Sequence, residues 1–121
     1  MAAKWMVLLY GNEGFWSSAT QEIADRIMEE HRAYGAACAE RGYTLLGGEE
    51  LDFSSKAFST RRSPGGAVQV TEGPYSETVE YLGGFYIVET DDPRGLAQLT
   101  GEILVTDGGG GVEIRPVVLH P

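Results

Sequence analysis

Two parts of this chain hold the side chains best suited to chemistry. His31 stands within "SATQEIADRIMEEHRAYGAACAERG" (18–42), a segment with helical periodicity. Its imidazole could act as a general acid or base near neutral pH. The second part is "TEGPYSETVEYLGG" (71–84), where Glu72, Glu77 and Glu80 are clustered just before a strand-like run. Gly73-Pro74 fixes a turn, so the carboxylate of Glu72 is carried on a stiff backbone. A single helical turn over "SETVE" would put Glu77 and Glu80 on one face. Each acid also has a plainer role: Glu72 as an acceptor that steadies the turn, Glu77 and Glu80 as solvated partners of Arg61, Arg62 or Arg115. Tyr10 and Tyr75 are candidates for the mouth of a pocket, with core or interface packing as the alternative.

The elements that would carry these residues can be read along the chain. With about 100° per helical residue, Ile27, Tyr34 and Cys38 fall within about 60° of His31. His31 is therefore on the face turned to the rest of the fold, either as a hydrogen-bonded core histidine or as the lining of a pocket. Gly35, one turn on, leaves room beside the helix. Ser18 and Gln21 have the spacing of a capping box, and Gly42 suits the helix stop. "KWMVLLY" (4–10) reads as a strand buried on both faces, and "GNEGFWSS" (11–18) as a loop. "YTLLGGEEL" (43–51) reads as a strand broken at Gly47-Gly48. "KAFSTRR" (56–62) and "AVQVT" (67–71) form a hairpin around "SPGG" (63–66). "GFYIVET" (84–90) is a strand, Asp92-Pro93 starts a helix to about Leu104, "GGGG" (108–111) is a loop and "VEIRPVVL" (112–119) is the last strand.

The order β-α-β, hairpin, β-α-β makes residues 1–121 one α+β domain. It is a ferredoxin-like antiparallel sheet with two helices on one face and a hairpin insertion. The bare sheet face calls for cover, and a second copy supplying it would make a homodimer, a dimeric α+β barrel.

Composition narrows the function. A net charge of −9 with only nine scattered Lys and Arg argues against nucleic acid as a partner. No run approaches the ~20 apolar residues of a membrane span, and the single Cys38 fits a reducing cytoplasm. Cys38 lies on the apolar stripe and reads as structural. His31, Glu72 and Glu77 offer N and O donors, but HxH, HxxxH and CxxC spacings are missing and His120 is terminal, so no metal is assigned. The glycine run lacks the Lys-Ser/Thr of a phosphate loop, and no cofactor is expected.

The chain resembles the YCII-related, or DGPF-domain, family of small bacterial proteins over essentially its whole length. The resemblance rests on the opening "MVLLYG", the helix with a central His, "EGPYSETVE" (72–80), "LGGFY" (82–86) and the closing "VEIRP" (112–116). The family signature reads Asp-Gly-Pro-Phe-Ala-Glu-Thr-Lys-Glu, so Glu72, Tyr75 and Val79 replace Asp, Phe and Lys at intact spacing. The resemblance implies the dimeric α+β barrel and a genomic association with extracytoplasmic-function sigma factors. It also implies a carboxylate paired with the helix histidine from the start of the second strand. "RGYTLLGG" (41–48) has no carboxylate, so Glu72 is the candidate to orient His31. Two functions follow: a cofactor-free enzyme with His31 and Glu72 as catalytic pair and Tyr10, Tyr75 and Glu77 at the substrate, or a regulatory module binding a metabolite or protein partner.

Overall fold

A computed structural model describes residues 2–104 and 110–121. β1 (Ala3–Gly11) leads through a short helix, α1 (Glu13–Ser17), to the long α2 (Gln21–Glu40) and β2 (Thr44–Glu50). A ribbon of β3 (Phe58–Arg62) and β4 (Val68–Glu72) follows, then β5 (Tyr81–Thr90), α3 (Pro93–Leu104) and β6 (Gly111–Pro116). The main sheet is ordered β2-β5-β1-β6 and is antiparallel throughout, which is compatible with the ferredoxin-like arrangement. β3 and β4 pair only with each other, as a separate two-stranded sheet. The expected glycine loop falls partly outside the described residues.

Alternation decides which side chains meet the helices. Val7 and Val88 are fully buried, and Trp5, Leu9, Tyr86 and Ile114 pack against the same core. Tyr34 and Cys38 of α2 and Leu96 and Leu99 of α3 complete it. Tyr34 donates its hydroxyl to Thr100 Oγ1 at 2.8 Å, and Thr100 in turn donates to the Leu96 carbonyl, so the buried polar atoms between α2 and α3 are satisfied. Met6 and Leu8 point to the opposite face and are only half-buried, so β1 is not enclosed on both sides within one chain.

Local chemistry explains the remaining departures. The segment expected as a loop contains α1, because Asn12 Oδ1 accepts the Gly14 and Phe15 amides at 2.8 and 3.3 Å. The described residues therefore include three α-helices rather than two. α2 is capped by Thr20, whose hydroxyl accepts the Ile23 amide, while Ser18 turns back to the Gly14 carbonyl and closes α1. Residues 73–80 form no helical turn. There the Tyr81 hydroxyl accepts the Thr78 amide and donates to Glu77, so a side chain does what a helical turn would have done. Asp92 caps α3 through the Gly95 amide, and Gly42, at φ +77°, ends α2.

Candidate functional site

The site begins with missing side chains. On the helix-facing side of the sheet, Tyr86 stands opposite Val7 and Gly48, and Gly84 opposite Leu9 and Glu50. A Cβ on Gly48 would stand 2.6 Å from a Tyr86 ring carbon, so only glycine lets the phenol lie across β2. Gly84 leaves a second depression beside it. Between this floor and α2 lies a cavity of about 810 Å³, within the size range of small-molecule sites.

α1 supplies one wall. The Trp16 indole sits over Gly11 and Gly83, where a Cβ at either position would enter its ring. Glu13 accepts both the amide and the hydroxyl of Ser54, each at 2.6 Å, which ties α1 to the turn after β2. Ile27, Met28 and His31 of α2 form the facing wall.

His31 Nδ1 is 2.5 Å from the Tyr86 hydroxyl, with the two rings tilted by 36°. Tyr86 also rests on Tyr34, at a centroid distance of 5.3 Å. Burial lowers the pKa of His31, and the nearby carboxylates of Glu30 and Glu50 oppose that shift. Burial raises the pKa of Tyr86. Both groups are therefore neutral at pH 7. Either can donate in the bond between them, so Nε2 is a base when Nδ1 carries the proton and a donor when it does not. No hydrogen-bond partner holds Nε2 among the described residues.

Of the site residues expected from sequence, His31 and Tyr10 line this cavity. Glu72, Tyr75 and Glu77 are not among its lining residues. Glu72 is exposed at the end of β4, opposite Phe58, and the side chain hydrogen-bonded to the His31 ring, at Nδ1, is Tyr86 rather than Glu72. The reason is topological, since β4 belongs to the separate ribbon. Tyr75 lies under the Arg61 guanidinium, which is 4.0 Å from its ring centroid, and Glu77 is engaged by Tyr81. A Cβ at Gly35 would meet open space, but Gly35 is not part of the lining. Cys38 is buried and its thiol pKa is raised by that burial, as befits a structural residue. Tyr86, Glu50 and Trp16 were not singled out from sequence as site residues. Period-two alternation around the glycine pairs was the available signal for the first two.

The class is thus a small α+β domain with a helix-to-sheet cavity holding a neutral His–Tyr pair. The chain belongs to the YCII-related domain family, whose model matches residues 3–119. It is similar to an uncharacterized protein of Rhizobium meliloti (strain 1021), with 29% identity over 117 residues that cover 94% of this chain and 91% of the relative. No helix among the described residues is long and apolar enough to cross a membrane.

The lowered pKa of His31 has a definite sign in stability. The folded protein holds the proton less tightly than the unfolded chain, whose histidine titrates near pH ~6.5. Stability contributed by neutral His31 is complete above that pH and is lost as pH falls through the lower folded value. Urea unfolding at pH 7.5 and pH 5.5 checks this. The wild type is expected to lose more stability between the two than His31→Gln does.

Proposed function

We propose that the cavity binds a small organic molecule and that His31 moves a proton on it, with Tyr86 holding the imidazole in place. The observation that carries this reading is the His31–Tyr86 hydrogen bond at a cavity wall, with Nε2 unclaimed. His31 is half-buried and its Nε2 is not among the buried unpartnered atoms, so this nitrogen is open to solvent and to a ligand. The lowered His31 pKa keeps a base available at neutral pH. Tyr10 borders the ligand in this reading. Glu72, Tyr75 and Glu77 reach it only if a second chain brings them there. The chemistry needs no cofactor, because a proton transfer next to a carbonyl requires only a base and a donor.

The test is hydrogen–deuterium exchange into a panel of carbonyl compounds in D2O, followed by NMR of the small molecule. Wild type is expected to exchange at least one acidic C–H, and His31→Gln to slow that exchange by about 100-fold. Tyr86→Phe should cost less. Equal exchange by wild type and His31→Gln would remove His31 from the chemistry.

We also propose a homodimer. Leu8 and Phe85, and Met6 and Ile87, are cross-strand pairs on the sheet face away from the helices. On one side of the ribbon Phe58, Val68 and Val70 are 73%, 64% and 63% exposed, beside Thr60, Arg62 and Glu72. A two-stranded ribbon with that side open has little stability alone. Residues 56–72 carry Lys56, Arg61 and Arg62 against one carboxylate, Glu72, in a chain of net charge −9, so the ribbon is less acidic than the body of a second copy and suits pairing with it. Sedimentation equilibrium should find a wild-type dimer that dissociates in the double variant Phe58→Ser, Val70→Ser. A monomeric wild type overturns the dimer and leaves the ribbon face to a different protein partner.

A further inference from the structure

Every charged residue lining the cavity is acidic. Among the described residues Glu13, Glu30, Glu49, Glu50 and Asp52 border it, and no Lys or Arg does. Three of these five are already engaged. Glu13 is held by Ser54, Asp52 by Lys56 and the Phe53 amide, and Glu30 faces Arg26 at 3.8 Å. Glu49 and Glu50 remain, with no hydrogen bond or ion pair on either carboxylate among the described residues. Glu49 pairs with Phe85 on the sheet face away from the helices, which leaves Glu50 on the cavity side. It stands across from Gly84, on the same side of the sheet as Tyr86, and its charge is felt at His31. The remaining walls are apolar or aromatic, with Trp16, Ile27, Met28 and Phe53 among them.

An anionic ligand would enter this cavity against like charge, with no cationic side chain to receive it, and His31 is neutral. A cationic head gains both from Glu50 and from the aromatic faces of Trp16 and Phe53. We infer that the ligand is an apolar or aromatic molecule bearing a protonated amine, with the ammonium directed to Glu50 and the apolar body between Trp16 and α2. This rests on the reading that the cavity binds a small molecule, and it adds the ligand's charge. In that pose the ligand carbons beside the ammonium face the His31–Tyr86 pair.

Three probes share one phenylalkyl skeleton: phenethylamine (cation), phenylpropionate (anion) and phenylpropanol (neutral). Each is titrated into the full-length protein at low salt by calorimetry, with the His31 ring signals followed by NMR. The expected result is that phenethylamine shifts His31 and binds about tenfold more tightly than phenylpropionate. Glu50→Gln should weaken the amine by about fivefold and leave phenylpropanol unchanged. Glu50 is exposed and unpaired, so the substitution leaves the fold intact. Equal or tighter binding of phenylpropionate, or an amine affinity indifferent to Glu50→Gln, overturns the charge assignment while the cavity reading stands. Failure of all three probes to perturb His31 overturns both.

Discussion

The site depends on space left by glycines and on the hydrogen bond that crosses it. Gly48 and Gly84 withdraw two side chains from the helix-facing side of the sheet, where side chains would otherwise fill the gap beneath α2. Tyr86 lies across Gly48, and its hydroxyl meets His31 Nδ1. Each of these polar groups would cost about 1–3 kcal/mol if buried without a partner. Together they satisfy one another, and both remain uncharged. The cavity is therefore compatible with a stable core beside it, where Tyr34, Cys38, Val7 and Leu96 are fully closed. A second constraint holds the mouth: Trp16 over Gly11 and Gly83, with α1 tied down through Glu13 and Ser54.

Charge is unevenly distributed over the molecule. Carboxylates border the cavity and the whole chain is acidic, while the ribbon carries Arg61 and Arg62 against a single carboxylate, Glu72. Such a distribution would steer a cation towards the cavity and a second acidic chain towards the ribbon, both effects weakening as salt screens them over about 8 Å. The His31 environment reflects the same balance. Burial lowers its pKa while Glu30 and Glu50 push back. The site thus keeps a neutral base within reach of negative charge, which suits accepting a proton from a cationic molecule.

Much of this was legible in the sequence because it is local. Periodicity placed His31, Tyr34 and Cys38 on one helix face, and alternation with turn residues located the strands of the main sheet. The errors were also local in origin. Asn12 turned an expected loop into α1, and Thr20 displaced Ser18 as the cap because its hydroxyl meets the Ile23 amide. The partner of His31 was harder to read. A carboxylate from 71–84 was expected, but which strand lies across from α2 is set by sheet order, and β4 is outside the main sheet. Tyr86 is 55 residues from His31 in sequence, so no spacing rule links them. Glu50 is exposed in β2 and resembles any solvated acid until Gly84 is placed beside it.

The most direct measurement is an NMR titration of the His31 ring nitrogens in the wild type and in Tyr86→Phe. A midpoint below about 6.5 is expected in both proteins, with a changed balance between the Nδ1–H and Nε2–H tautomers in the variant. A His31 midpoint at or above that value, together with identical ring-nitrogen signals in the two proteins, would contradict this expectation.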